Sequence, residues 1–265
     1  MLLAVDVGNS HTTFGVSRGD VLCARWRLAS DAQRTLDEWR LLVHELMAER
    51  GIAARALSGA VLCSVVAGIT PLIEALCAGL TGAPPLTVAP GAATGLDVRY
   101  RPPSGLGSDR LVEAVAASAM FGAPVVVVDL GTATTFNVVD GARRFIGGAV
   151  AAGLGTGADA LVRAGARLRD FDLAGDGAPP PFGRTTEQAL RAGIVHGHAG
   201  LVAGVLRRIE AELAGQGDAR PTVVATGGWS ARIAPLVPRI DRRCPDLILD
   251  GLRIVWSRSG HHDAA

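Results

Sequence analysis

The sequence repeats one short pattern, and this repeat limits the fold more than any other feature. Residues 4–16 read AVDVGNSHTTFGV, and residues 127–138 read VVDLGTATTFNV. Asp6 and Asp129 are 123 residues apart, and one deletion after Ala133 aligns the two Thr-Thr-Phe segments. A strand, an aspartate, a glycine turn and a second strand follow in the same order, which indicates two copies of one supersecondary unit. The alternative is chance similarity, since buried strands are commonly rich in valine.

The segments around each copy alternate between strand and helix patterns. Apolar runs bounded by turn residues predict strands over 2–7, 11–16, 21–28, 59–66, 86–88, 124–129, 133–139, 144–150 and 221–225. Apolar residues at helical spacing predict helices over 35–49, 69–80, 109–120 and 186–215. Strands that alternate with helices indicate an α/β architecture. With the repeat, this predicts two domains, 1–118 and 119–265.

Length and composition restrict the class of function. The 265 residues suffice for two domains, and 49% hydrophobic residues, 19% charged residues and a net charge of +1 argue against disorder and against a polyanion-binding surface. All 26 basic residues are arginine, so a P-loop lysine and a Schiff-base lysine are both excluded. A small neutral or anionic ligand fits this composition better than nucleic acid.

The cysteines and apolar runs bear on the compartment. Four scattered cysteines lie in or beside apolar runs, which predicts buried, reduced thiols: Cys23, Cys63, Cys77 and Cys244. The N-terminus lacks a signal-peptide pattern, and no run is expected to reach the ~18 apolar residues of a membrane helix. We therefore expect a cytoplasmic protein with no membrane contact.

The repeated turns are suited to phosphate. An aspartate that ends a buried strand, followed by a glycine turn, lies beside exposed backbone N–H groups, which can bind phosphate oxygens while the carboxylate holds Mg²⁺. A single Asp-x-Gly is usually an ordinary turn. Two copies in a duplicated chain are a stronger indication, because two facing turns could clamp one nucleotide.

Further motifs make residues 2–255 resemble the type III pantothenate kinases, which belong to the superfamily of sugar kinases, acetate kinase, actin and heat-shock ATPases. The resemblance rests on Asp6-x-Gly8-Asn9-Ser10, Gly107-Ser108-Asp109-Arg110, Asp129-x-Gly131-Thr132-Ala133, Gly147-Gly148-x-Val150-x-x-Gly153 and Thr226-Gly227-Gly228. It implies an α/β fold of two duplicated actin-like (ribonuclease H-like) domains with mixed sheets and an interdomain cleft that holds the active site. It also implies ATP-dependent phosphorylation of pantothenate.

The resemblance assigns the nucleotide-binding residues. It implies a first phosphate turn, a second phosphate turn and an adenosine turn, formed by Asp6, Gly8, Asn9 and Ser10, by Asp129, Gly131 and Thr132, and by Thr226, Gly227 and Gly228. Asp129 would lie near a monovalent cation, K⁺ or NH₄⁺, and Asp6 would hold Mg²⁺, directly or through water. Glycine in the adenosine turn would let a ring approach closely.

The resemblance also assigns the acceptor site. Asp109 would be the catalytic base that takes the proton of pantothenate's primary hydroxyl, and Tyr100, Gly107, Ser108, Arg110 and Thr186 would line the pantothenate pocket. Structural alternatives remain for three of these residues. Asp109 and Thr186 could each cap a helix, and Arg110 could pair with Glu113.

The sequence departs from the family pattern at a few positions, which bear on loop rigidity and on substrate affinity. Ser108 stands where alanine is common, Ala152 where proline is usual, and Arg184-Thr185 where the family has Lys-Asn. None of the proposed phosphate or base residues is missing.

The histidines are weak metal candidates. His196 and His198 point about 200° apart on a helix, which favours packing or capping. His11 could touch nucleotide or face solvent, and His261 and His262 lie in a polar tail.

The resemblance implies a homodimer whose interface completes the pantothenate pocket, with Thr186 reaching across it. Two other functions stay open. One is a non-catalytic regulatory relative that acts as an accessory factor for transcription, and the other is a kinase of the same superfamily for another hydroxyl substrate, such as a sugar.

Overall fold

The computed structural model describes residues 1–89, 92, 94–164, 173 and 177–260. Its strands are β1 Leu2–Val7, β2 His11–Arg18, β3 Val21–Ala29, β4 Gly59–Ser64, β5 Leu86–Val88, β6 Asp97–Val98, β7 Val125–Leu130, β8 Ala133–Val139, β9 Arg144–Ala152, β10 Thr222–Thr226 and β11 Arg242–Arg243. Its helices are α1 Leu36–Glu49, α2 Thr70–Thr81, α3 Ser108–Phe121, α4 Leu154–Ala164, α5 Thr186–Gly215, α6 Ser230–Ile233 and α7 Leu247–Arg258.

The chain forms two compact units. The first comprises Met1–Ala116 with Leu247–Ala265, and the second comprises Ala117–Asp246. The predicted division placed all of 119–265 in the second domain, and this is corrected for the C-terminal helix α7, which packs on β1 and β4 of the first unit. Sequence order alone could not reveal this return of the chain.

The sheet of the first unit has the strand order β3-β2-β1-β4-β5. β1 pairs antiparallel with β2, and parallel with β4, which in turn is parallel to β5. Asp6, the penultimate residue of β1, lies opposite Thr13 on one side and Cys63 on the other. The sheet is therefore mixed, as expected.

The second unit repeats this topology. Five strands of its six-stranded sheet, in the order β9-β8-β7-β10-β11, match the five strands of the first sheet, with β7 antiparallel to β8 and parallel to β10. Asp129 lies opposite Thr135, as Asp6 lies opposite Thr13. Both second strands also carry a register shift at the same place, between Val16 and Ser17 and between Val138 and Val139. The repeat in the sequence is thus a repeat in structure, and the prediction of duplicated α/β units is confirmed.

Each sheet is covered by helices that bury one face. Helix α1 buries Trp39, Val43 and Met47, spaced four residues apart, against the core of the first unit. Thr35 and Glu38 form a capping box that fixes where this helix begins.

Helix α5 packs its buried positions, among them Val195, Val202 and Leu206, into the core of the second unit. In the described part of the chain, α5 is long and apolar enough to cross a membrane by length and composition alone. The expectation that no segment reaches that length is therefore corrected. The core helix of a soluble protein passes the same test, and 33% of the apolar window of α5 is buried.

Two further expectations differ from the structure. Cys63 and Cys77 are buried as predicted, whereas Cys23 is exposed, because it lies on the outward part of the edge strand β3. No helix was predicted between residues 120 and 186, yet α4 begins at Leu154, and its buried residues are Leu154 and Ala158.

Candidate active site

The first predicted phosphate turn is the tight connection between β1 and β2. The Gly8 N–H donates to the carbonyl of His11 at 3.1 Å, and a Cβ on Gly8 would lie 3.1 Å from that same oxygen. Asn9 and Ser10 are exposed at the tip. The turn therefore presents its tip to solvent. The short distance between Gly8 and the His11 carbonyl favours glycine at position 8, because a side chain there would crowd that oxygen.

Asp6 precedes this turn at the end of β1 and is half-buried. The Cys63 thiol, fully buried on β4, donates to Asp6 Oδ1 at a sulfur–oxygen distance of 3.4 Å. Burial raises the pKa of Cys63 well above its usual range, and the negative charges of Asp6 and Asp109 raise it further. Cys63 therefore stays protonated and remains a donor to Asp6. Nothing in the sequence pattern had marked Cys63 as part of the site.

The segment that carries Asp109 is tied to the same strand. Ser108 Oγ donates to the Ser64 carbonyl at 3.0 Å and accepts from the Ser64 N–H at 3.2 Å, which fixes the beginning of α3 against the end of β4. Helix α3 begins at Ser108, so Asp109 lies in its first turn and not in the preceding cap position. The capping alternative for Asp109 is thus not supported.

Asp109 is in an environment that suits a proton acceptor. Burial raises the pKa of its carboxyl group, while the backbone N–H and the charge of Arg110 act in the opposite direction. The Arg110 N–H donates to Asp109 Oδ1 at 2.7 Å. A Cβ on Gly107 would lie 2.4 Å from that same oxygen, so only glycine leaves room for the carboxylate.

Arg110 and Tyr100 lie together in the first unit. The guanidinium carbon of Arg110, a buried residue, lies 5.5 Å from the centre of the Tyr100 ring, within the range of a cation–π contact. The sequence predicted both residues for the acceptor pocket but gave no contact between them. The aromatic ring limits the directions in which the guanidinium can turn.

The second predicted phosphate turn connects β7 to β8. The Gly131 N–H donates to the Ala133 carbonyl at 3.1 Å, as Gly8 does to His11 in a turn one residue longer. The Thr132 carbonyl accepts from the Gly153 N–H at 3.1 Å and from Thr156 Oγ1 at 2.7 Å. A Cβ on Gly153 would lie 2.3 Å from the Thr132 oxygen, which explains glycine at that position.

Asp129 and the predicted adenosine turn are neighbours in the second unit. Thr226 lies opposite Asp129 in the parallel pair of β10 and β7. Gly227 has φ of 86°, and a Cβ there would lie 2.2 Å from Asp129 Oδ1. The Trp229 N–H donates to the Leu130 carbonyl at 3.0 Å, so the chain after Gly228 is fastened to the end of β7.

Thr186 is the exposed first residue of α5, and the N-cap of this helix is Thr185, whose side chain accepts from the Gln188 N–H at 3.2 Å. The capping alternative for Thr186 is therefore wrong, because the cap lies one residue earlier. Thr186 belongs to the second unit, whereas the other predicted acceptor residues belong to the first.

The histidines form local contacts. His196 Nε2 lies 2.8 Å from the Pro179 carbonyl, and His198 Nε2 lies 2.9 Å from Thr134 Oγ1, where burial lowers the pKa of His198. His11 Nδ1 lies 2.8 Å from Arg27 Nη2, and burial, then the charge of Arg27, lowers the pKa of His11. His261 and His262 lie outside the described residues.

No group of three or more His, Cys, Asp or Glu side chains that could hold a metal ion occurs among the residues that the structure describes. Asp6 and Asp129 are therefore not parts of a closed protein cage. Mg²⁺ commonly keeps several waters and binds one or two carboxylates together with substrate phosphates, and the carboxylate of Asp6 fits that mode.

Two sheets that share one five-strand order, each with an aspartate and a glycine turn at the same hairpin, define the class of duplicated actin-like α/β folds. Solved structures agree with this class. A protein described as a Baf family transcriptional activator from Campylobacter jejuni superposes with a TM-score of 0.62 at 17% identity, covering 98% of this chain and 100% of that one. A ROK family protein from Streptococcus pneumoniae gives a TM-score of 0.54 at 11% identity, with 98% of each chain covered.

Sequence relatives identify the family. The family model for type III pantothenate kinase matches residues 2–208. The type III pantothenate kinase of Moorella thermoacetica is 40% identical over 260 residues, which is 98% of this chain and 100% of that protein. That of Anaeromyxobacter dehalogenans strain 2CP-C is 39% identical over 263 residues, again 98% and 100%. The chain belongs to the type III pantothenate kinase family, and the resemblance predicted from its motifs is confirmed.

Proposed function

We propose that this protein uses ATP to phosphorylate the primary hydroxyl of pantothenate, giving 4′-phosphopantothenate in the first step of coenzyme A synthesis. Family membership over nearly the whole chain supports this activity. The observation that carries the chemical assignment is the acidic site of the first unit. There Asp6 accepts a hydrogen bond from Cys63, and Asp109 lies in the first turn of a helix that Ser108 fastens to the same strand.

We assign nucleotide binding to the two repeated turns. Asp6, Gly8, Asn9 and Ser10 contribute from the first unit, and Gly131 and Thr132 contribute from the second, through backbone N–H groups and short polar side chains. Thr226, Gly227 and Gly228 receive the adenosine. Asp6 would hold Mg²⁺, directly or through water, and the metal would supply neutralisation of the phosphate charge. Asp129 would contribute to the site of a monovalent cation, K⁺ or NH₄⁺.

Asp109 acts as the catalytic base in this proposal. Phosphoryl transfer depends mainly on positioning and charge neutralisation, and a carboxylate is needed to orient the attacking hydroxyl and accept its proton. The raised pKa of Asp109 makes it a stronger base than an ordinary aspartate. Asp109 is therefore suited to take the proton of the pantothenate hydroxyl.

Arg110 binds the carboxylate of pantothenate. A guanidinium can contact a carboxylate through two parallel hydrogen bonds, and Tyr100 restricts its orientation. Gly107 and Ser108 complete this wall of the pocket. In the proposed homodimer, Thr186 contacts pantothenate across the subunit interface, and its exposure at the beginning of α5 is compatible with that role.

A regulatory function is the main competing proposal, because the superposed Campylobacter jejuni protein is described as a transcriptional activator. The presence of Asp6, Asp109 and Asp129 argues against a purely regulatory role, since a binding module does not need three carboxylates at phosphate sites. A kinase for another hydroxyl acceptor, such as a sugar, is the other alternative. The segment from Tyr100 to Arg110 favours pantothenate.

A panel of acceptors separates these alternatives. Purified protein is incubated with ATP, Mg²⁺ and K⁺, and ADP formation is measured with pantothenate, with glucose, with N-acetylglucosamine and without an acceptor. We expect ADP formation with pantothenate only, and a loss of that activity when Na⁺ replaces K⁺. Turnover of a sugar in preference to pantothenate, or no transfer to any acceptor by folded protein, would reject the proposal.

The proposed homodimer is tested by sedimentation, and the proposed cytoplasmic location is tested by cell fractionation.

A further inference from the structure

Both phosphate turns are held from outside by a side-chain hydroxyl. In the first unit, Ser30 Oγ donates to the Gly8 carbonyl at 2.6 Å. In the second unit, Thr156 Oγ1 donates to the Thr132 carbonyl at 2.7 Å. Each hydroxyl comes from the segment that follows the third strand of its unit, since Ser30 follows β3 directly and Thr156 lies in the first turn of α4, after β9. Both turns therefore have a hydroxyl bound to a backbone carbonyl, although the carbonyls differ by one position, because Thr132 aligns with Asn9 and not with Gly8.

A bond to a turn carbonyl also sets the direction of an N–H group. The atoms of a trans peptide are coplanar, and the C=O and N–H of one peptide point in opposite directions. The Gly8 carbonyl shares its peptide with the Asn9 N–H, and the Thr132 carbonyl shares its peptide with the Ala133 N–H. By binding these oxygens, the two hydroxyls direct the Asn9 and Ala133 N–H groups away from themselves.

The first of these contacts is part of a short chain of hydrogen bonds. Ser30 has a single hydroxyl proton, which it donates to Gly8, so the Thr12 hydroxyl at 2.9 Å must donate to Ser30 Oγ. Thr12 is completely buried, and the Ser30 N–H also donates to the Ser10 carbonyl at 3.0 Å. The bonds to Thr12 and Ser10 therefore hold Ser30 in the position from which its hydroxyl donates to the Gly8 carbonyl.

The second contact is more exposed and is shared. Thr156 is exposed, and the carbonyl that it binds also accepts from the Gly153 N–H. Loss of the Thr156 hydroxyl leaves the Gly153 N–H as a donor to that oxygen, whereas Ser30 is the one donor to the Gly8 carbonyl among the hydrogen bonds of the described residues. Ser30 should therefore matter more than Thr156.

We propose that Ser30 and Thr156 are positioning residues that aim the backbone N–H groups of Asn9 and Ala133 at the phosphates of a bound nucleoside triphosphate. Backbone N–H groups that are oriented before binding form an anion site without a further ordering cost. This inference rests on the proposed function only in that the two turns bind ATP. It does not depend on which acceptor receives the phosphate.

Replacement of Ser30 tests the stronger contact. Ser30→Ala should weaken binding of ATP·Mg²⁺ about three- to tenfold, since a net hydrogen bond contributes about 0.5–1.5 kcal/mol. The KM for ATP should rise by the same factor, and the KM for pantothenate should not change. Ser30→Thr, which keeps a hydroxyl, should restore the affinity for ATP. Affinity for ATP·Mg²⁺ is measured by titration calorimetry. The melting temperature of each variant is measured as well, to detect general destabilisation.

Thr156→Val provides an independent test, because this exposed position tolerates substitution even if Ser30→Ala does not fold. We expect about a threefold loss of affinity for ATP·Mg²⁺, restored by Thr156→Ser. Ser58→Ala serves as the matched control, since Ser58 Oγ donates to the Met1 carbonyl at 3.0 Å outside either turn. The control should lower the melting temperature without changing the affinity for ATP.

The outcomes separate this inference from the proposed function. Nucleotide binding is measured without pantothenate, so weakened ATP binding in the variants supports the inference even if the wild-type protein fails to phosphorylate pantothenate. Wild-type affinity for ATP in both Ser30→Ala and Thr156→Val would overturn it while leaving the kinase proposal intact. An equal loss of affinity in Ser58→Ala would also overturn it, because the effect would then come from general destabilisation.

Discussion

Asp109 combines a cost in stability with a gain in basicity. Burial raises the pKa of its carboxyl group in the folded chain above the value in the unfolded chain. Between these two pKa values the folded state retains a proton that the unfolded state has lost, so the free energy of unfolding falls as pH rises through this window. At a pH above the raised pKa, the ionised carboxylate lowers the free energy of unfolding by its full amount. A buried carboxylate that destabilises the fold in this way is expected to have a function.

Asp109→Asn should therefore separate activity from stability. Turnover should fall by about 10²–10⁴-fold, as on loss of a general base, while affinity for ATP·Mg²⁺ stays unchanged. The melting temperature at pH 7 should rise, because asparagine cannot ionise, and the rise should disappear at a pH below the ordinary pKa of aspartate. The activity of the wild-type protein should fall on the acid side at a pH above the ordinary pKa of aspartate, because a protonated Asp109 cannot accept a proton.

Asp97→Asn is the control for this substitution, since Asp97 is an exposed carboxylate of the same unit that pairs with Arg99. It should leave turnover and its pH profile unchanged. Near-normal turnover in Asp109→Asn would show that Asp109 is not the base.

The cysteines should differ sharply in reactivity. Cys23 is exposed, whereas Cys63 is buried beside Asp6 with its pKa raised, and burial raises the pKa of Cys77 to about 12. Because the thiolate is the reactive form, iodoacetamide should modify Cys23 in the folded protein and should modify Cys63 and Cys77 only after unfolding. Peptide mass mapping measures this. Modification of Cys63 in native protein as fast as Cys23 would contradict the described burial and the Cys63–Asp6 contact.

At the scale of elements, the duplicated hairpin turns were predictable from sequence because their signals are local. Asp6, Gly8 and the following Thr-Thr-Phe lie within nine residues of one another, and the same holds for the second copy. The residues that fix these turns were not predictable. Cys63 and Ser30 reach the first turn from β4 and from beyond β3, so their role depends on strand order and register.

Gly227→Ala tests the neighbourhood of Asp129. Alanine would place a Cβ 2.2 Å from Asp129 Oδ1 at a backbone φ of 86°. The left-handed conformation alone costs a non-glycine residue about 1–2 kcal/mol, and the carboxylate must also move. We expect a lower melting temperature, weaker ATP binding and an altered dependence on K⁺.

Gly157→Ala is the matched control in the same unit. Gly157 is inside helix α4, and among the described residues no atom outside the backbone of that helix lies within 4 Å of a Cβ at this position. Alanine there should stabilise the protein by up to about 1 kcal/mol, since glycine is a poor helix former. Unchanged ATP binding and stability in Gly227→Ala would contradict the geometry of the adenosine turn.

At the scale of the whole molecule, the chain builds one topology twice and then returns to its beginning. Helix α7 lies some 240 residues after β1, yet Trp256 packs over Gly59 so closely that a Cβ at Gly59 would lie 2.4 Å from the ring. Gly251 likewise lies against the backbone of Val112. Local sequence patterns carry no information on this long-range packing, and for this reason the predicted domain limits failed at the C-terminus.

Leu252→Ala should therefore destabilise the first unit. Leu252 is fully buried, and loss of such a side chain costs about 2–5 kcal/mol. Hydrogen exchange should show reduced protection of β1 and β4. Ser257→Ala, an exposed position of the same helix, should change stability by less than about 0.5 kcal/mol. Equal protection of β1 and β4 in both variants would reject the assignment of α7 to the first unit.

The most direct test of the central claim is identification of the product. Wild-type protein and Asp109→Asn are each incubated with ATP, Mg²⁺, K⁺ and pantothenate, and the mixtures are analysed by mass spectrometry. We predict 4′-phosphopantothenate in an amount equal to the ADP formed by the wild-type protein, and only a trace of it with Asp109→Asn. Absence of 4′-phosphopantothenate from a reaction with folded wild-type protein that binds ATP would contradict the assignment of this protein as a pantothenate kinase.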